Sequence, residues 1–227
     1  MLPDAEAVAR RAAQILAEEA RAAVAARGAF LLATSGGTTP WRMFRLLTGL
    51  DVPWPSIEWF QVDERVAPAG DPDRNLTHLE ENLIARVPLA PGHLHPMPVE
   101  DVDLERAAAR YAAELREVAG EPPALDLVHL GLGDDGHVAS LVPGDAALEV
   151  TDADVAVTGV YRGRRRMTLT FPLLDRTRRL LWVVTGPEKR EALAGLRRGD
   201  RSLPASRLRT DRAWLLADRE AAEPTAP

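Results

Sequence analysis

Asp134, Asp135 and His137 fall inside a stretch that reads HLGLGDDGHVASLVPG (129–144). Its glycines match Gly-x-Gly-x-x-Gly, the turn that seats a dinucleotide pyrophosphate at a helix N-terminus. Two features weigh against a nucleotide. Pro143 and Gly144 cut short any helix opening after the third glycine, and Asp134 and Asp135 would meet a pyrophosphate with like charge. The glycines suit a bent loop that projects Asp135 and His137. Imidazole is the usual general base near neutral pH, and a carboxylate beside it fixes its tautomer. The other histidines read as structural: His78 in a helical pattern, His93 and His95 in a proline-rich stretch, His129 inside a strand pattern.

Three further stretches carry groups suited to an anion. In TSGGTTP (34–40), Gly36 and Gly37 allow close backbone approach, Ser35, Thr38 and Thr39 add hydroxyls, and the helix behind contributes its positive end. No Gly-Lys-Ser/Thr follows, so this is not a P-loop. In DERVAPAGDPDRN (63–75), Asp63, Glu64 and Arg65 at a strand end form either a structural ion pair or a functional guanidinium. Such a guanidinium binds phosphate in a bidentate manner or stabilises charge on a carbonyl oxygen. The third stretch comprises RGRRRMT (162–168) before a strand and TGPEKREAL (185–193) after one. Lys189 is electrostatically misplaced in the first turn of a helix, a conflict that a bound anion removes.

These groups need a scaffold, and the hydrophobic periodicity supplies one. Residues 4–27 read as a helix capped by Asp4 and ended by Gly28. Thr39 and Pro40 read as the N-cap and first residue of the next helix. Further helices are expected over 74–87, 103–119 and 187–198. Apolar strand-like runs occupy 29–34, 57–62, 124–132, 154–160, 166–171, 179–186 and 213–218, while 88–101 reads as a loop and 219–227 as a frayed tail. The alternation predicts an α/β fold: a Rossmann-like, mostly parallel sheet flanked by helices on both faces, with a few extra strands, in one domain over 1–227. In such sheets the loops after the strands converge on one rim, beside the topological switch point.

Bulk properties narrow the chemistry. A formal charge of −6 and the lack of a basic face disfavour nucleic acid, and no apolar run is long enough to cross a bilayer. The start, MLPDAEAVARR, lacks the order of a signal peptide, so a cytoplasmic location is expected. The absence of cysteine excludes disulfides, thiolate metal sites and cysteine nucleophiles. Ser35 and Ser140 lie in no nucleophile elbow, no ligand pair has metal-binding spacing, and no cofactor is expected. Oligomeric state is not legible.

Taken in order, LATSGGTTP, FQVDERVAP, LGLGDDGHVASLVPG, RRMTLTFPLLDRTRRLLWVVTGPEKREAL and LPASRL resemble the 6-phosphogluconolactonase family, a relative of the glucosamine-6-phosphate deaminases. The resemblance implies hydrolysis of 6-phospho-D-glucono-1,5-lactone, a small phosphorylated sugar lactone, without an organic cofactor, in the oxidative pentose phosphate pathway. It implies that His137 is the base, with Arg65 beside it. It gives Ser35, Gly36, Gly37, Thr38, Arg166 and Lys189 to the substrate, and Asp63 stands with them. Asp135 either orients His137 or meets a sugar hydroxyl. Three departures stand out: Arg74-Asn75 where the family commonly has Ser-Asn, Val138 where it often has threonine, and Val142 in place of an aromatic. Arg74 is expected to crowd or re-charge the pocket mouth. The deaminase branch follows its histidine with a glutamate that SLVP lacks, which favours lactone hydrolysis. A deaminase and a non-catalytic sugar-phosphate-binding module remain the alternatives.

Overall fold

Short runs that are apolar on both faces are unstable at a surface, and here they form the middle of one sheet. The computed structural model describes residues 1–223. Its elements in chain order are α1 (Ala5–Arg27), β1 (Phe30–Thr34), α2 (Thr38–Leu47), β2 (Ile57–Gln61), β3 (Asp63–Arg65), α3 (Asn75–Asn82), β4 (Leu94–His95), α4 (Leu104–Ala119) and β5 (Leu127–Leu130). They continue with β6 (Val155–Val157), β7 (Arg166–Leu169), α5 (Phe171–Arg176), β8 (Leu180–Val184), α6 (Arg190–Arg198), β9 (Ala213–Ala217) and α7 (Arg219–Ala222).

Six strands form a parallel sheet in the order β4-β2-β1-β5-β8-β9. The chain builds outward from β1 to β2 and β4, then returns to the other side of β1 for β5, β8 and β9. The switch point therefore lies between β1 and β5, whose following loops are TSGGTTP and GLGDDGH. Successive side chains serve opposite faces. Leu32, Leu127 and Leu181 join a core with α1, α2 and α3, whereas Ala33, Val128 and Trp182 join one with α4, α5, α6 and α7.

A second, antiparallel sheet in the order β3-β7-β6 stands beside the first. It accounts for the expected extra strands, and its register pairs Asp63 with Thr168 and Arg65 with Arg166. Helix α1 is capped as its sequence predicts: the Asp4 side chain accepts from the Ala7 N–H at 2.8 Å, and Gly28 closes the helix at φ +84°.

Several local expectations are corrected. Helix α2 starts at Thr38 with Gly37 at its N-cap, so Thr39 is not the cap; its hydroxyl instead meets that of Thr185 at 2.7 Å. Asp63–Arg65 is a strand rather than a loop, because β7 supplies its backbone partners. The 88–101 stretch contains β4, which pairs with β2. HVASLV, by contrast, agrees with the expected lack of a long helix: it forms a turn closed by Val138 and Leu141. The strand expected over 166–171 ends at Leu169, and Phe171 opens helix α5. The 74–87 and 187–198 helices are each part 3-10, over Ile84–Arg86 and Pro187–Lys189. Of the expected frayed tail, 219–222 is helical with Ala221 buried; residues 224–227 lie outside the described residues.

Candidate active site

A cleft of about 220 Å³ opens at the carboxyl ends of β1 and β5. It is lined by Ser35, Gly36, Asp63, Arg65, His137, Arg166 and Lys189 from the expected set, and also by Asn75, Asp134 and Arg162. Gly37 and Thr38 line an adjoining cleft of about 270 Å³ at the start of α2, which shares Gly36 and Lys189 with the first. Asp135 lines neither; it sits behind His137. Groups more than 150 residues apart in the chain thus meet at one switch point.

The imidazole is held from one side. His137 Nδ1 lies 2.6 Å from Asp135 Oδ1, which also accepts from the His137 backbone N–H at 3.1 Å. Burial opposes ionisation of Asp135, but the His137 backbone and ring and the Tyr161 hydroxyl outweigh it and hold the carboxyl below its usual range. An ionised carboxylate only accepts, so Nδ1 carries a proton and, in the neutral imidazole, Nε2 holds the free lone pair. The ring packs over Gly133, where an added Cβ would lie 2.0 Å from Nδ1. That contact explains one glycine of the 131–136 pattern without a nucleotide.

The opposite wall is cationic. Arg65 and Arg166 face each other across β3 and β7, a like-charge pair that costs stability by itself. Arg65 Nη1 donates to the Asp73 carbonyl and to Asn75 Oδ1, both at 2.8 Å, and Arg166 Nη1 to Ser140 Oγ at 3.4 Å. The Nε atoms of both are buried without a partner among the described residues. Burial, with Arg65 and Arg162 close by, pushes the Arg166 guanidinium below its usual range despite Asp63.

The D-E-R triplet divides its labour. Glu64 is fully buried and accepts from the Asn75 and Leu76 N–H groups, each at 2.8 Å, so it caps α3 from outside the helix. It also pairs with Arg74 at 3.2 Å. Arg74 is 2% exposed, donates to Glu100 and to the Ala67 carbonyl, and lines neither cleft. The expected crowding of the mouth by Arg74 is therefore corrected: its charge is used inside the fold. Asp63 Oδ2 accepts the Ser140 hydroxyl at 2.6 Å, so Ser140 is a strut between the sheets.

Asn75 is the lining residue least legible from sequence. Its Nδ2 donates to the Asp63 carbonyl at 2.9 Å, and a Cβ on Gly36 would come within 2.0 Å of its Oδ1. The signal available was its place directly after a turn-rich segment facing the D-E-R strand. The basic run also resolves residue by residue: Arg162 pairs with Asp134, Arg164 with Asp71 and Asp73, Arg165 with Glu105, and Arg166 faces the cleft.

The other histidines are structural, as expected. His78 stacks on Trp41, and His95 lies between Glu58 and Glu114. His93 meets the Ile57 carbonyl. His129 is fully buried, and burial pushes its pKa down to about 3. As for metals, Asp134, Asp135 and His137 bring donor atoms within 4.8 Å of one another. Arg162, Tyr161 and the imidazole itself already occupy those carboxylates, so the set does not fit an ion without dismantling the pair.

No helix among the described residues is long and apolar enough to cross a membrane. Residues 3–216 match the model of the family described as glucosamine-6-phosphate isomerases/6-phosphogluconolactonase. The chain is 35% identical to a 6-phosphogluconolactonase of Mycobacterium tuberculosis over 98% of this chain and 96% of that one. It is 35% identical to one from Nostoc over 86% and 82% of the two chains. The crystal structure of the Thermotoga maritima 6-phosphogluconolactonase superposes with a TM-score of 0.85 at 26% identity, covering 96% of this chain and 97% of that one. A monomeric glucosamine-6-phosphate deaminase, at 21% identity and a TM-score of 0.84 over 97% and 96%, has the same fold. The expected α/β fold and the resemblance read from the ordered motifs are both borne out: the chain belongs to the glucosamine-6-phosphate isomerase/6-phosphogluconolactonase family.

Proposed function

We propose that this chain hydrolyses 6-phospho-D-glucono-1,5-lactone to 6-phosphogluconate, with His137 as general base. The observation that carries the reading is the facing Arg65–Arg166 pair, short of hydrogen-bond partners and set in the same cleft as an oriented imidazole. A chain of net charge −6 that gathers such cations in one hollow is built for an anion. Lys189, Arg166 and the Ser35–Thr38 segment at the start of α2 hold the phosphate, remote from the reacting carbonyl. The remote anchor fixes which carbon meets the nucleophile.

His137 Nε2 accepts a proton from water as the water oxygen attacks the lactone carbonyl carbon. Collapse of the tetrahedral adduct breaks the bond from that carbon to the ring oxygen, which takes the proton back from the imidazolium. The carboxylate of Asp135 stabilises the imidazolium between the two steps. Arg65 stands where it serves either the phosphate or the oxyanion. The segment after His137 brings no further carboxylate to the cleft: Val138, Leu141 and Val142 are buried, and Ser140 is tied to Asp63. That disfavours the ring-opening chemistry of the deaminases, which share the fold.

The deciding experiment is a pH-stat titration of acid release from freshly prepared phosphorylated lactone, run beside an ammonia assay on glucosamine 6-phosphate. Acid release above the spontaneous rate, with no ammonia, is expected. Ammonia release would favour the deaminase, and silence in both assays a non-catalytic binding module.

A further inference from the structure

The second oxygen of Asp135 is taken by a residue that lines neither cleft. Tyr161 donates its hydroxyl to Asp135 Oδ2 at 2.8 Å, while His137 Nδ1 holds Oδ1 at 2.6 Å. Tyr161 opens a tight turn in which its N–H donates to the Arg164 carbonyl at 2.9 Å and the Arg164 N–H donates back at 3.3 Å. Arg162 and Gly163, the central residues, have φ of +50° and +83°. Positive φ at both positions belongs to the tight hairpin turn and is strained for arginine. The strain has a visible use. Arg162 Nη2 reaches both oxygens of Asp134, at 2.8 and 3.1 Å, so one turn grips two adjacent aspartates of the loop that carries His137. The tyrosine ring meets the imidazole edge to face at 5.5 Å, and the Arg162 and Arg166 guanidiniums stand 5.2 and 5.0 Å from its centroid.

We propose that Tyr161 is a positioning residue for the hydrolysis, acting through Asp135. A carboxylate held at one oxygen swings about its Cβ–Cγ bond; held at both, its plane is fixed. With the plane fixed, the direction of the Nδ1–H bond is fixed, and so is the aim of Nε2 toward the attacking water. This proposal rests on the reading of His137 as the base.

The test is Tyr161→Phe, which keeps the ring and its contacts and removes one donor. The turnover number kcat is expected to fall about tenfold, the scale of a lost hydrogen bond to a charged group. KM for the phosphorylated lactone should stay within about twofold, because the hydroxyl touches Asp135 and not the cleft. In an Asp135→Asn background the same substitution should cost nothing more, since the path through Asp135 is already cut. The Nδ1–H proton of His137, identified by NMR through its loss in His137→Gln, should shift in the substrate-free Tyr161→Phe protein. An unchanged kcat, a rise in KM that accounts for the loss, additive effects in the double variant, or an unmoved resonance would each overturn the proposal. His137→Ala separates the two ideas. Retained turnover there removes the base itself; lost turnover there, with Tyr161→Phe unaffected, removes only the tyrosine.

Discussion

The two walls of the cleft are built on opposite principles. On the β5 side, the groups around the base are partnered within the protein: Asp135 receives the imidazole, a backbone N–H and the Tyr161 hydroxyl, and Asp134 receives Arg162. On the β3–β7 side, two guanidiniums face each other with unpartnered Nε atoms and, among the described residues, no salt bridge, Asp63 being the nearby acid. A base must point one way before substrate arrives, so its hydrogen bonds are internal. A phosphate anchor works in reverse, because cations already neutralised inside the fold would have little left to give a ligand. Order on one wall and unmet charge on the other are what the proposed hydrolysis of a phosphorylated lactone asks of one site.

The largest expected effect breaks the first wall. His137→Ala should lower kcat at least about a hundredfold while the circular-dichroism melt stays cooperative; near-normal turnover would remove the base assignment. The second wall breaks differently. Lys189→Ala should raise KM for the phosphorylated lactone about tenfold or more, the scale of a lost charge-assisted contact, and leave unphosphorylated gluconolactone little changed. Equal effects on both substrates would contradict a phosphate role.

Arg166→Gln sharpens the contrast through stability. Removing one of two facing cations should leave Tm unchanged or raised, whereas inorganic phosphate should raise the Tm of the parent and not of the variant. A marked destabilisation without phosphate would mean that the arginine serves the fold.

A last comparison sets His137 beside His129, eight residues earlier on β5. Among the described residues His129 has no partner at either ring nitrogen, and burial pushes its pKa down to about 3. Its folded value lies below its unfolded one, near 6.5, so the unfolded chain binds the extra proton. Its contribution to stability is complete above pH 6.5 and is lost as pH falls toward 3. Denaturant titrations between those limits should show that His129→Leu lacks about 1.4 kcal/mol per pH unit of the parent's slope. Parallel slopes would place His129 in a wetter setting than the structure gives it.

Much of this was legible in the chain. The Asp4 and Gly28 caps, the buried runs around Leu32, Val128 and Trp182, and the loops after β1 and β5 announce themselves through local chemistry. Less legible were features that depend on a distant partner. The D-E-R segment becomes a strand only because β7 lies beside it. Arg74 reads as a cation at the pocket mouth until Glu64 and Glu100 close on it, and Tyr161 reads as an ordinary residue before a basic run until Asp135 stands opposite.

The sequence by itself determined which polar residue types stand in the loops after the strands, because side-chain type, glycine placement and hydrophobic period are local properties. It also determined that strands and helices alternate, and hence that the polar loops gather on one rim. Tertiary structure alone decided which cation keeps a partner and which faces the cleft. That choice depends on strand register and on distances between segments far apart in the chain, and no local pattern encodes it.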